Sequence, residues 1–347
     1  MALPAERRAA LLAAKLSALV VGHAGPGSTA GALGAPGRRD AGPFPGGASL
    51  VVDGQGWVLV DEQPERALGP AMAWGASRSI GGPALHVVVD RHAGMLARRA
   101  AAFVAPPTVW QVDGPELVPA VAEAVGEGTA HPPSVWPGHG ADLVALLEAE
   151  GVDVVVDHGE IIGEVLGLEV ARVVLDETGV ARLEVGVGRN DREAFALIHA
   201  DQDPGEALRS VVTTVTTHRR PGAVAHPLNR LGASRWLRAR LVADPALVGA
   251  ADLVAVPGVL PRGGVKESVP VAAVGTDARG GSVVVVTSTG IDLDLVPAAA
   301  DLRLTNAPGA RLVLVVPERD AHPVTRRLAA ELLEPAEVLG LPGDWRG

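Results

Sequence analysis

Apolar and polar positions repeat with different periods along this chain, and each change of period marks an element. PAERRAALLAAKLSALVVGH, residues 4–23, spaces its apolar side chains helically with Leu12, Leu16, Leu19 and Val20 on one side, which predicts an amphipathic helix over residues 1–22. Residues 23–47, HAGPGSTAGALGAPGRRDAGPFPGG, lack any period and have the Gly/Pro/Ala composition of a flexible linker. SLVVDGQGWVLVDE alternates around Asp53-Gly54, the signature of a tight β-hairpin. A helix from Pro64 to Ser79, the strand ALHVVVD, the helix HAGMLARRAAAF, the strand PTVWQVDG and a helix over residues 115–125 follow. Residues 48–130 therefore read as a small ββαβαβ domain. Its turns at Asp90-Arg91-His92 and Asp113-Gly114 are expected at the carboxyl ends of strands, with each Asp capping a helix.

Residues 126–140, GEGTAHPPSVWPGHG, are read as a domain boundary in which His131 and His139 lie on a solvent-exposed linker. Beyond it ADLVALLEAEG predicts a helix with Leu143, Leu146 and Leu147 on one face, and VDVVVDH a strand. Residues 164–188, EVLGLEVARVVLDETGVARLEVGVG, are two β-branched-rich runs joined at Asp176-Glu177-Thr178-Gly179, apolar or small on both faces. This hairpin carries Glu164, Glu169 and Glu184 toward the middle of a domain, where a carboxylate needs a metal, a cation or a proton. DREAFALIH and DPGEALRSVVTTVTTH read as helices, giving the order αβββα. Residues 244–280 are interrupted by Gly and Pro and read as irregular, with Lys266 and Glu267 in a loop. SVVVVTST, GIDLDLVPAAADLR, ARLVLVVPERD, a helix from Pro323 to Glu334 and AEVLGLP form a βαβαβ tail expected to complete the second sheet. The predicted fold is α/β in two domains, the second, residues 141–347, larger and built on a central mixed sheet. No internal repeat of fixed period is found.

Composition narrows the picture. With 347 residues and 48% hydrophobic side chains the chain can bury a large core without staples, and it has no Cys to make disulfides or thiolate metal sites. Six Trp, three Phe and no Tyr leave that core to Val, Leu and Ala. A net charge of −10 argues against broad nonspecific attraction to nucleic acid or anionic lipid. The first helix is too short and too interrupted by Lys15 to read as a signal peptide, and no run approaches membrane-spanning length, so a cytoplasmic location without membrane contact is expected.

The order αβββα over residues 141–217, with acids on successive strands, resembles the PD-(D/E)XK, or restriction-endonuclease-like, superfamily. That resemblance implies Mg²⁺-dependent phosphodiester hydrolysis, with Glu169 as the first acid, Glu184 as the second and Glu160 or Glu164 as an auxiliary ligand. Mg²⁺ takes oxygen ligands, which is why two converging carboxylates are required. The family's lysine position is Gly186 here, and Arg182, on the same face as Glu184, supplies a cation that cannot act as a base. The resemblance therefore implies a divergent core, with activity or loss of activity both left open. RLEVGVGRN also resembles the first motif of class I S-adenosylmethionine-dependent methyltransferases at Glu184, Gly186 and Gly188. The DETG turn makes its strand a hairpin partner, whereas a cofactor turn of that kind belongs in a parallel βαβ unit.

The segment 207–243 contains no Asp or Glu and seven arginines: Arg209, Arg219, Arg220, Arg230, Arg235, Arg238 and Arg240. In so acidic a chain this block predicts a local positive surface, with Arg219, Arg220, Arg230, Arg235 and Arg238 as phosphate-binding residues and Trp236 available for stacking. The alternative reading is a basic face that docks on the acidic remainder of the protein. No Ser-His-Asp or Cys-His constellation is present, and His226-Pro227 and His322-Pro323 fit turns. The sequence points first to a protein engaging phosphate, DNA or RNA, with catalytic candidates Glu169, Glu184 and Arg182 and Mg²⁺ at Glu164, Glu169 and Glu184. A non-enzymatic binding or assembly protein comes second, and a methyltransferase third.

Overall fold

A computed structural model describes residues 5–24, 40–125, 140–189, 191–193, 203–220, 222–224, 226–258, 264–266, 268–343 and 345. The fold is mixed α/β with three sheets. The chain divides into two compact units: residues 1–124 with 293–301 and 327–335, and residues 125–292 with 302–326 and 336–347. The single boundary expected near residue 130 thus lies at 124/125, and two later segments return to the first unit. His131 and His139 lie outside the described residues.

The first unit is built on a six-stranded sheet in chain order: β1 (Asp40–Phe44), β2 (Gly47–Val52), β3 (Gln55–Val60), β4 (Leu85–Val89), β5 (Thr108–Asp113) and β6 (Glu116–Pro119). Only β3–β4 and β4–β5 are parallel. Those central strands carry nearly continuous apolar runs because both faces are covered. α1 (Ala5–Ala24) buries Leu16, Leu19 and Val20 against Leu50, Trp57 and Leu59. α2 (Leu68–Ala76) and α3 (Ala93–Ala100) make the crossovers. Residues 40–44, expected within the linker, form a strand, and the helix expected over 115–125 is replaced by β6, because Asp113-Gly114 is a hairpin turn with Gly114 at φ 56°. Asp90 does not cap α3, whose N-cap is His92; it pairs instead with Lys15 at 2.9 Å.

In the second unit α4 (Gly140–Ala149) leads into a four-stranded antiparallel meander of β7 (Asp153–Asp157), β8 (Glu160–Val165), β9 (Leu168–Leu175) and β10 (Ala181–Val185). The run read as one strand from 164 to 175 is broken by a tight turn at Leu166-Gly167, both at positive φ. α5 (Pro204–Arg219), capped by Asp203, covers this sheet with Ala207, Leu208 and Val215. α6 (Ala233–Ala243) packs on a separate five-stranded sheet of β11 (Ala250–Val256), β12 (Val271–Asp277), β13 (Ser282–Thr287), β14 (Arg311–Pro317) and β15 (Glu337–Leu341). The tail therefore does not complete the hairpin's sheet: it joins β11 and β12, which arise from the stretch read as irregular. The intervening helices are α7 (Leu295–Asn306) and α8 (Pro323–Ala330).

The six-stranded and five-stranded sheets are two copies of one topology, which corrects the absence of a repeat inferred from sequence. Each runs helix, three antiparallel strands, helix, parallel strand, helix, parallel strand. Leu68 aligns with Leu295 and Leu85 with Leu312, an offset of 227 positions from the second helix into the strand after it; in the strand before, the register is one residue out, Gly56 pairing with Leu85 but Val283 with Arg311. Pro70 and Pro297, Ala71 and Ala298, and Gly82 and Gly309 are shared under it. Within the first unit, Val104 N–H donates to the Glu331 carbonyl and Leu333 N–H to the Ala102 carbonyl, around a bridge between Phe103 and Leu332. Phe103 and Leu332 each precede the next strand by five residues, at 108 and 337.

Candidate functional site

The β8–β9 turn organises the polar interior of the second unit. Leu166 is held at φ 47° and Gly167 at φ 72°; a Cβ on Gly167 would lie 2.3 Å from the Arg235 carbonyl, so the first turn of α6 passes directly over it. Arg219 Nη1 donates to the Leu166 carbonyl at 2.7 Å, and Arg235 Nε to the Gly167 carbonyl at 3.3 Å. The Arg219 Nη2 also serves the Leu228 carbonyl, at 2.8 Å, and that of Leu231, while the guanidinium stacks 4.6 Å above Trp236. One residue group beyond, Glu164 accepts from Arg238 Nη2 at 2.7 Å and lies 3.8 Å from Arg235 Nε. Glu164, Arg235, Arg238 and Arg219 are all buried. The sequence-predicted phosphate ligands Arg219, Arg235 and Arg238 thus face inward, and so does Trp236.

Glu169 and Glu184 do meet, and what they meet on is Arg192. Arg192 Nη1 donates to Glu169 Oε1 at 2.5 Å, and its Nε is 3.8 Å from Glu184 Oε2. Arg172 adds two bonds to Glu169, at 3.1 and 3.3 Å, and one to Glu160 at 2.5 Å. Arg182 Nη2 binds Glu184 Oε1 at 2.8 Å. The glycine-rich GVG segment explains how Arg192 returns: Asp191 Oδ2 accepts from Val187 N–H at 2.7 Å, and Gly186 sits at φ 143°, where a Cβ would be 2.9 Å from the Arg192 nitrogen. Gly186 thus permits close backbone approach.

These donors do not fit Mg²⁺. A hard cation would need the carboxylate oxygens that already receive guanidinium bonds, and it would lie against the positive charge of Arg192. Among the described residues no group of three or more His, Asp and Glu side chains is placed to hold a metal. Asp153, opposite Glu164 on β7, has its pKa raised by loss of solvent and by the Glu164 charge, against the pull of Arg238. In the arginine block Arg209 pairs with Glu150 at 3.0 Å. Arg220 and Arg230 are exposed and carry no ion pair among the described residues.

Two features of the first unit escaped the sequence reading. His86, on β4, is buried between indoles: it stacks on Trp57 at 3.8 Å and accepts at Nδ1 from Trp110 Nε1 at 3.1 Å. Its Nε2 has no hydrogen-bond partner among the described residues. Burial, helped by the nearby His23, lowers its pKa to about 4, so the ring is neutral at physiological pH. A lone His in LHVVVD, between strands that each carry a Trp, was the available signal. The second feature is a cavity of about 510 Å³ lined by Met72, Ile80, Leu85, Phe103 and Val104, with Glu331 at its wall. Its parts come from segments more than 200 residues apart in sequence, which no local pattern reveals.

Nearby, Arg99 joins Asp294 at 3.1 Å and Asp301 at 3.2 Å, with Arg98 on Asp301 at 2.7 Å. Asp294 also accepts from Gly69 N–H at 3.1 Å, so it tethers residues 293–301 to α2 rather than merely shaping a turn. No family model, no curated protein and no solved structure matches this chain. No helix among the described residues is long and apolar enough to cross a membrane.

Proposed function

We propose that this chain is a non-enzymatic binding or assembly protein in which the acids and arginines of the second unit serve the fold. The observation that carries this reading is Arg192, which occupies the meeting point of Glu169 and Glu184, where hydrolysis would require a metal and an activated water. Buried carboxylates paired with guanidiniums specify how strands and helices dock; removing one partner leaves an uncompensated charge. The test is incubation of the protein with single- and double-stranded DNA and RNA in Mg²⁺ and Mn²⁺. No cleavage is expected. Cleavage that disappears in Glu184→Gln would overturn the proposal.

A second reading, contact with a phosphate backbone, draws on the exposed Arg220 and Arg230. It expects binding to DNA or RNA that weakens with salt and loses about one unit of salt slope for each contact removed, as in Arg220→Gln or Arg230→Gln. Binding indifferent to both substitutions removes this reading and leaves the first in place.

A further inference from the structure

The side chains that line the cavity of the first unit are apolar except for Ser79 and Glu331. Met72, Ile80, Leu85 and Phe103 are themselves buried, so they form a fixed floor rather than a mobile surface. Val104, 66% exposed, stands at the mouth and leaves an apolar lip that water covers poorly. Glu331 is the one charged side chain in the lining, and its only ion pair among the described residues is a 3.6 Å contact with Arg327 on the exposed surface. Such a pair is weak enough for a ligand to displace. A volume of about 510 Å³ is that of a small-molecule pocket.

The repeat supplies an independent comparison. At the position of Ala76, which lines the cavity, the second repeat carries Arg303, a buried guanidinium, and at that of Ser79 it carries Asn306. Met72 is matched by the smaller Ala299. At Ala76 and Ser79 the first copy keeps the smaller residue, and at Met72 the larger, apolar one. The fixed apolar floor and the single carboxylate together define a shape and a charge.

We infer that this cavity is a binding site for one small organic amine per chain, with its apolar body on Met72, Ile80, Leu85 and Phe103 and its ammonium on the Glu331 carboxylate. The inference rests on the binding-protein reading and gives it a ligand class. An ammonium leaving water for the mouth of an apolar pocket needs a counter-charge, and Glu331 provides it. A neutral ligand would gain only the apolar contact, and an anion would be repelled.

Calorimetric titration of the full chain tests this with 4-phenylbutylamine, 4-phenylbutanol and 4-phenylbutyrate as probes. The amine is expected to bind saturably at one site, the alcohol about 10-fold more weakly, and the acid weakest. Glu331→Gln should bring the amine to the level of the alcohol. Ala76→Arg, which installs the second repeat's residue, should abolish binding by filling the cavity. Glu331→Gln is exposed and nearly isosteric, so it keeps the test open should Ala76→Arg fail to fold. No saturable amine binding at millimolar concentration, equal affinity for the three probes, or undiminished binding to folded Ala76→Arg overturns the inference. These outcomes concern the cavity alone, whereas metal-dependent cleavage would overturn the binding-protein reading whatever the cavity does.

Discussion

Two buried polar sites, one in each unit, are held by opposite means. In the first, the imidazole of His86 is kept neutral, flattened on Trp57 and given one hydrogen bond by Trp110. In the second, Glu164 and Glu169 are matched by Arg238, Arg235, Arg192 and Arg172. A neutral group tolerates an apolar cage at the cost of an unmet nitrogen, whereas a carboxylate needs a counter-ion in hydrogen-bonding geometry. The difference shows why acids and arginines concentrated in one stretch can have the look of a reactive site while forming internal pairs.

The largest test of that contrast is Arg238→Met, which removes the 2.7 Å partner of Glu164 and leaves Arg235 at 3.8 Å. Equilibrium denaturation should show a loss of about 3–5 kcal/mol. Next comes acid. The folded pKa of His86 is lowered to about 4 while the unfolded ring titrates near 6.5, so only the unfolded chain takes up the proton between those values. Stability is therefore complete above about pH 6.5 and falls by ~1.4 kcal/mol per pH unit toward pH 4, a loss of about 3 kcal/mol from this residue. In His86→Val, which borrows the second repeat's Val313, the difference from wild type should shrink by that amount across the window. Trp fluorescence during denaturation at each pH measures it.

Arg219→Lys sharpens the comparison from the charged side. Lysine keeps the charge but loses the planar fork that serves the Leu166 and Leu228 carbonyls together, and a loss of about 1–3 kcal/mol in the same assay is expected. The smallest effect belongs to Arg220→Gln and Arg230→Gln, both exposed, which should each change stability by less than about 0.5 kcal/mol. A large loss there would mean that the outer arginines are also structural.

Much of the fold was legible where local rules agree. Asp53-Gly54 gives the β2–β3 hairpin, with Asp53 at φ 50° and Gly54 at φ 78°, and the Val run at 283–286 and the Leu/Val run at 312–316 give parallel strands buried on both faces. The turn at Leu166-Gly167 was not legible, because leucine at positive φ is disfavoured and is held there by Arg219 and Arg235 from distant helices. β11 and β12 hid in a Gly- and Pro-interrupted stretch, and with them the repeat, whose halves share a path far more than residues. The glutamates were found by burial logic. Their partners were not, since Arg192 lies 23 positions from Glu169 and Arg238 lies 74 from Glu164.

The most direct test of the account is a double-mutant cycle at the acid meeting point: wild type, Glu169→Gln, Arg192→Met and the pair, unfolded by denaturant with and without Mg²⁺. Direct pairing predicts a coupling of about 1–3 kcal/mol, with the double variant losing less than the two single losses combined and Mg²⁺ without effect. Additive losses within about 0.5 kcal/mol, together with stabilisation of wild type by Mg²⁺ that Glu169→Gln removes, would contradict it.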